Sequence, residues 1–93
     1  MKLSTRIKKY APVVDDQVFF PWQEEPYKIV LMVDCKRDPL LITTSLEWAD
    51  RHHDALTKVY HCTLLNQESP VISQRGELIY HYTSPTYRDW CNA

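Results

Sequence analysis

Glycine is nearly absent from this chain: Gly76 is the only one among its 93 residues. Phosphate-cradling loops, dinucleotide-binding fingerprints and the sharp turn that presents a nucleophilic serine all need glycines, because the backbone there approaches a ligand closely or adopts a positive φ. A single glycine cannot build any of these devices. The commonest routes to nucleotide-dependent catalysis are therefore excluded.

Long apolar runs and a strong net charge are lacking as well. No run reaches the length of about 18 apolar residues that spans a membrane, so we expect no membrane association. The basic residues near the N-terminus are not followed by the apolar segment of a signal peptide. The formal net charge is −1, so no global positive field attracts nucleic acid.

Cysteine is scarce, and its spacing does not predict disulfides. The three cysteines, Cys35, Cys62 and Cys91, are an odd number and include no C-x-x-C pair. We therefore expect no disulfide framework and predict a location in a reducing cytoplasm, that of a host cell.

Metal and catalytic centres are not predicted either. Structural zinc needs paired ligands two to four residues apart, whereas the close pairs here, such as His61 and Cys62, are adjacent. Cys35 could meet a histidine from the helix, but nothing in the local sequence would activate its thiol or supply an oxyanion hole. We predict a protein that is not an enzyme and carries no metal and no cofactor.

The stretch Thr44–Leu65 has the clearest periodicity in the chain. At about 100° per residue, apolar side chains fill one side of a helical wheel and charged side chains fill the other. We predict a single amphipathic helix over this stretch, capped by Thr44 or Ser45. If Thr44 is the cap, Glu47 completes a capping box with it.

Two histidines fall on the apolar side of this predicted helix, His52 near its middle and His53 near its edge. Two interpretations are open. In the first, one histidine is hydrogen-bonded to a backbone carbonyl in the core and the other is half exposed. In the second, this part of the face is uncovered and forms a contact surface whose affinity changes as histidine is protonated near about pH 6.

The segments on either side of the helix predict a small sheet. Tyr27–Cys35 and Leu40–Thr43 flank a turn and predict an antiparallel pair. Val71–Ser73 and Leu78–Thr83 flank Gly76 and predict a hairpin, in which the glycine supplies the positive φ. The predicted fold class is α+β, with one long amphipathic helix packed on a small, mainly antiparallel sheet in ββ-α-ββ order.

The remaining segments complete a single predicted domain over residues 1–93. Residues 13–20 predict a short strand, and Thr86–Cys91 predict a short C-terminal helical turn that begins after a serine–proline pair. Residues 1–12 are either a flexible basic arm or a short helix that ends at Pro12.

Aromatic residues are numerous for a chain of this size, with three tryptophans and six tyrosines. Tyrosine, tryptophan and arginine dominate the binding energy of protein–protein interfaces. We predict a docking surface formed by Trp22, Tyr80, Tyr82, Tyr87, Arg88 and Trp90. The alternative is that most of these side chains pack a second sheet face and the terminal turn.

Basic residues cluster near the N-terminus, where the first fourteen residues hold no acidic side chain. They are either a solvated face or an arm that contacts phosphates or an acidic partner. The predicted nucleic-acid-binding residues are Lys2, Arg6, Lys8 and Lys9, together with Arg75 in the Gln74–Glu77 turn of the hairpin.

Part of the predicted helix resembles a known family. The matching residues are Ile42–Asp50, the pair Arg51-His52, and the apolar positions Ala55, Leu56 and Val59. They are similar to the start of the phage Rha-type regulatory proteins, and Arg75–Ser84 is loosely similar to that family's segment after the helix. The family has a glycine-containing turn between two helices, whereas this sequence runs straight from Asp50 to Arg51. The resemblance implies a phage or mobile-element origin.

These observations lead to two hypotheses of function. The first is a small, non-enzymatic phage or mobile-element protein that binds a host protein and modulates it, by inhibition. The second is a DNA-binding phage regulator that uses the basic N-terminal segment and the 74–77 turn.

Overall fold

The computed structural model describes residues 2–33, 39–65 and 69–84. Its elements are α1 (Leu3–Tyr10), β1 (Val13–Val14), β2 (Gln17–Val18), β3 (Lys28–Val33), β4 (Leu41–Thr43), α2 (Leu46–Asp54), a π-helical segment (Ala55–Val59), β5 (Thr63–Leu64), β6 (Val71–Ile72) and β7 (Glu77–Thr83). The α+β class is confirmed. The predicted C-terminal turn lies outside the described residues.

The main sheet is built around a parallel pair, β3 and β7, in register from Lys28 opposite Glu77 to Val33 opposite Tyr82. β4 pairs antiparallel with β3, and β5 and β6 both pair antiparallel with β7. The predicted β3–β4 pair and the β6–β7 hairpin are confirmed, and Gly76 has a φ of +78°. The ββ-α-ββ order is not the one observed, because a helix comes first and the central pair is parallel.

The parallel pairing has a direct topological cause. Parallel neighbours need a crossover of a dozen or more residues, and here β4, α2, the π-helical segment, β5 and β6 lie between β3 and β7 in the chain. The helix that the sequence predicts is part of this crossover.

The helix is shorter than predicted, since it runs from Leu46 through the π-helical segment to Val59. The backbone turns at His61, whose φ is +57°. Cys62 and Leu64 beyond it are buried, while the residues between and beside them are exposed. This alternation has the period of a strand, and Leu64 pairs with Tyr82 in the sheet. The prediction of a single helix over 44–65 is therefore wrong at its C-terminal end.

Ser45 caps α2, and its hydroxyl accepts a hydrogen bond from the Trp48 N–H at 3.3 Å. The Ser45 hydroxyl also donates to Asp16 Oδ2 at 2.7 Å. The cap residue is Ser45 rather than Thr44, so the capping box between Thr44 and Glu47 is not formed. The Asp16 carboxylate, which belongs to a distant turn, completes the cap. Asp15 and Asp16 form that turn with φ of +49° and +62°.

The turn at Asp15 and Asp16 makes residues 13–18 a tight hairpin rather than the single short strand predicted. β1 and β2 pair antiparallel, with Val13 opposite Val18 and Val14 opposite Gln17. Two-residue hairpin turns of this kind require positive φ at both central positions, and aspartate adopts that conformation more readily than most residues.

The N-terminal segment is a helix, α1, and is part of the core. Leu3 and Ile7 are fully buried, and the Ser4 N–H and hydroxyl donate to Asp50 Oδ1 and Oδ2 at 2.8 and 2.6 Å. The flexible-arm interpretation is thus wrong, because burial of two apolar side chains anchors the segment. Asp50, which lies on the charged side of the predicted helix, therefore caps α1.

The hydrophobic core lies between one face of the sheet and the two helices. β3 contributes Ile29, Leu31 and Val33, and β7 contributes Leu78, Tyr80 and Tyr82. The helices cover this face with Leu3, Ile7, Leu46, Ala49 and Leu56. Among the described residues, no helix has the length and apolar character needed to cross a membrane.

Candidate functional site

The structure buries two residues of the predicted docking surface and exposes another. Tyr80 and Tyr82 are 1% and 0% exposed, so their prediction as contact residues is wrong. They lie on the face of β7 that the helices cover, because even-numbered side chains of this strand point to the core. Trp22 is 70% exposed, as a contact residue must be. Tyr87, Arg88 and Trp90 lie outside the described residues.

Trp22 stands on a cluster of aromatic rings. Its ring centroid lies 5.1 Å from that of Phe20, and Phe20 in turn lies 4.3 Å from Tyr27 and 5.8 Å from Tyr10. Pairs at these separations attract one another beyond the area that they bury. The exposed tryptophan is therefore held in place by a packed base rather than carried on a loose loop.

A second exposed apolar surface runs along α2 and the π-helical segment. It includes His52, so part of the predicted helical face is uncovered, as the second interpretation of the histidines allowed. We call it the α2 stripe: Trp48, His52, Ala55, Val59 and Tyr60. Trp48, Val59 and Tyr60 are 51%, 66% and 50% exposed. The first four residues recur at the spacing of one helical face, and the Arg51 guanidinium lies 5.2 Å from the Trp48 ring centroid.

The stripe arises because the apolar arc of the helix is wider than the part that the core covers. The buried side chains of α2 and the π-helical segment are Leu46, Ala49, His53 and Leu56, and the stripe lies beside them. Leu40, Leu56 and three stripe residues line a cavity of about 450 Å³. The helical wheel contained this surplus of apolar positions, but only the packing shows which of them are uncovered.

The predicted nucleic-acid-binding residues do not form one surface. Lys2 and Lys8 line a cavity with four carboxylates, those of Asp16, Glu47, Asp50 and Asp54. Lys2 and Arg6 also line a groove on the other side of α1. Lys9 is exposed and lines neither cavity, and Arg75 is exposed in the β6–β7 turn.

The groove beside α1, which we call the basic groove, has a volume of about 590 Å³. It is lined by Lys2, Arg6, His53, Asp54, Thr57, Lys58, Cys62, Thr63 and Leu64. These residues come from α1, α2, the π-helical segment and β5. The sequence could not have predicted the groove, because Lys58 meets Lys2 only after α1 packs on α2.

His53 is the buried histidine, 7% exposed, and its Nδ1 lies 2.8 Å from the Tyr82 hydroxyl. His52 is half-buried in the stripe, so one ring is buried and one is partly exposed, as the first interpretation expected. The buried ring is the one near the edge of the predicted apolar arc, and its partner is a tyrosine hydroxyl rather than a backbone carbonyl. Burial lowers the pKa of His53, with a smaller contribution from Arg6, while Asp54 and Asp50 oppose the shift. Burial also raises the pKa of Tyr82. Both groups are neutral near pH 7.

We expect the lowered pKa of His53 to make stability depend on pH. The unfolded histidine binds a proton below a pKa of about 6.5, whereas the folded one does so only at lower pH. The unfolded state thus holds more protons in this window, and the free energy of unfolding is expected to fall as pH decreases through about 6.5. Urea unfolding between about pH 8 and about pH 5, above the carboxylate range, measures this slope.

The matched variants for this pH prediction are His53→Gln and His52→Gln. The first should lose most of the slope, and the second retains His53 and should keep it. An equal slope in the wild type and in His53→Gln would show that other groups cause the dependence.

Cys62 is a buried free cysteine in the described part of the chain. Burial raises the pKa of the Cys62 thiol, which opposes its use as a nucleophile. In residues 2–33, 39–65 and 69–84, no group of three or more histidine, cysteine or carboxylate side chains is placed to hold a metal ion. Cys35 and Cys91 lie outside these ranges.

Comparisons with protein families, with curated proteins and with solved structures find no match to this chain.

Proposed function

We propose that this chain is a small, non-enzymatic interaction protein that binds another protein and modulates it, by inhibition of a host factor. The observation that carries the proposal is the α2 stripe, in which three large apolar or aromatic side chains are at least half exposed. Single exposed apolar residues are ordinary, whereas several of them along one helical face are a candidate binding surface.

The composition of the stripe supports a protein partner. Trp48 and Tyr60 are residue types that dominate interface energy, and Arg51, stacked over Trp48, is a third. The cavity at the C-terminal end of the stripe is mostly apolar, which suits an inserted aliphatic or aromatic side chain. The π-helical segment carries Ala55 and Val59, and such segments are frequent at functional sites.

Trp22 is a second anchor for this partner. It is more exposed than any other large apolar side chain in the described residues, and its aromatic base restrains it before binding. A restrained side chain loses little conformational entropy on association. The phage or mobile-element origin and the host partner rest on the resemblance of Ile42–Val59 to the Rha-type proteins.

The test begins with recovery of a partner from bacterial lysate by the tagged protein and continues with both purified components. Val59→Asp should weaken the purified complex at least about tenfold, or about 1.4 kcal/mol, because a charge would enter a desolvated contact. Trp22→Ala should weaken it as well. Titration calorimetry measures both effects.

Val14→Asp is the matched control, since Val14 is a valine of comparable exposure on the β1–β2 hairpin. It should leave the affinity unchanged. Failure to recover a stoichiometric partner, or equal losses in Val14→Asp and Val59→Asp, would contradict the proposal.

The alternative function, a DNA-binding regulator, has less support. Lys8 lies in a cavity with four carboxylates, which repel a phosphate backbone. The charged face of α2 carries Glu47 and Asp54 where a recognition helix would need basic or neutral side chains. Duplex DNA is therefore one arm of the binding experiment on the basic groove.

A further inference from the structure

We propose that the basic groove binds a small phosphorylated molecule through its phosphate group, held by Lys2, Lys58 and His53. This proposal is independent of the protein-binding function, because the groove and the α2 stripe share no residue. No side chain of the stripe is needed for it.

The charge balance of the groove favours an anion. Two exposed lysines, Lys2 and Lys58, line the groove together with Arg6 and a single carboxylate, that of Asp54. Asp54 and Lys58 are one helical turn apart, yet no ion pair joins them in the described part of the chain. The neighbouring cavity has the opposite balance, with four carboxylates against Lys2, Lys8 and Arg51. Lys2 and Asp54 line both cavities, and of the two it is the basic groove whose lining favours an anion.

The buried histidine supplies a second, independent indication. His53 is more than nine-tenths buried and lines the groove, whereas its Nδ1 partner, Tyr82, is not among the lining residues. No hydrogen bond within the described residues uses Nε2, the other ring nitrogen. When the Tyr82 hydroxyl donates to Nδ1, the neutral ring carries its proton on Nε2. The groove then presents an N–H donor that the protein leaves for a ligand.

The shape of the groove indicates the size of the ligand. Its volume of about 590 Å³ lies within the range of small-molecule sites and exceeds what a phosphate ion alone would fill. Leu64 and Cys62 form an apolar part of the wall, against which the organic part of a phosphomonoester can pack.

The experiment uses the full chain and two small probes, inorganic phosphate and phenyl phosphate, with a short DNA duplex as a separate arm, all at constant low ionic strength set with chloride. Histidine side-chain and backbone amide NMR signals are followed during each titration. We expect saturable shifts at His53 and at Lys58. Phenyl phosphate should bind more tightly than phosphate if the apolar wall is used, which distinguishes a phosphomonoester ligand from free phosphate.

The decisive variant combines Lys2→Ala and Lys58→Ala, both at exposed positions whose loss should leave the fold intact. Each charge-assisted contact removed should weaken binding about tenfold, so the pair should weaken it by tenfold to about a hundredfold. Lys9→Ala is the matched control, because Lys9 is an exposed α1 lysine that does not line the groove. The affinity of the Lys9→Ala variant for both phosphate probes should equal that of the wild type.

Three outcomes would overturn the proposal. The first is the absence of saturable shifts with both probes. The second is an equal loss of affinity in Lys9→Ala, which would indicate a diffuse charge effect. The third is tighter binding of a short DNA duplex than of phenyl phosphate, with an equal loss of duplex affinity in Lys2→Ala and in Lys9→Ala. That result would make α1 a nucleic-acid-binding surface.

Discussion

Replacement of Tyr80 by alanine is expected to lower the free energy of unfolding by about 3–5 kcal/mol, the usual cost of truncating a large buried aromatic side chain. Tyr80 is 1% exposed in the centre of β7, and burial raises the pKa of its hydroxyl to about 12. The variant would leave a cavity opposite Leu31, its neighbour on β3. Urea-induced unfolding followed by far-ultraviolet circular dichroism measures the change.

Tyr10→Ala is the control for this prediction. Tyr10 is also a tyrosine but is exposed, and its ring makes one edge contact with Phe20. Its loss should cost about 1 kcal/mol. If Tyr80→Ala destabilised the protein no more than Tyr10→Ala did, yet weakened a partner complex, then Tyr80 would be a docking residue after all.

Ile7→Ala is expected to lower the free energy of unfolding by about 2–5 kcal/mol. Ile7 is fully buried in α1 and packs in the core with Leu3 and with residues of β3 and β7. A flexible N-terminal arm would show no such effect, because its side chains would be solvated in both states. The same unfolding experiment provides the measurement.

Lys9→Ala is the matched change two residues away on the exposed side of α1. It should alter the free energy of unfolding by no more than about 0.5 kcal/mol, as is usual for surface substitutions. Removal of residues 1–11 should have the largest effect of all, because it deletes Leu3, Ile7 and Ala11 from the core together. A truncated chain with the stability of the full chain would contradict the role assigned to α1.

The candidate sites themselves were only partly predictable. Trp22 could be selected from composition, since a proline-bounded segment carries it, and it is exposed. The same argument from composition selects Tyr80 and Tyr82, but these side chains are buried because the helices cover their face of β7. Lys2 and Arg6 were predicted as phosphate contacts, whereas Lys58 was missed. Its sequence position, one turn after Asp54, predicts only an ordinary ion pair.

Some features of the fold follow from the sequence alone, and each depends on residues near one another in the chain. The alternation of β7, the positive φ at Gly76, the β3–β4 pair and the start of the helix near Ser45 are of this kind. They reflect side-chain direction, backbone freedom and local capping, which short segments specify by themselves.

Other features were decided only by the tertiary structure, because they depend on contacts between distant segments. The parallel pairing of β3 with β7, the use of Asp50 to cap α1, and the burial of His53 instead of His52 all require partners at least 29 residues away. The strand at Thr63–Leu64 replaced helix because Leu64 is buried beside β7. Periodicity specifies which side chains share a face, but only packing decides which faces are covered and which remain available to bind.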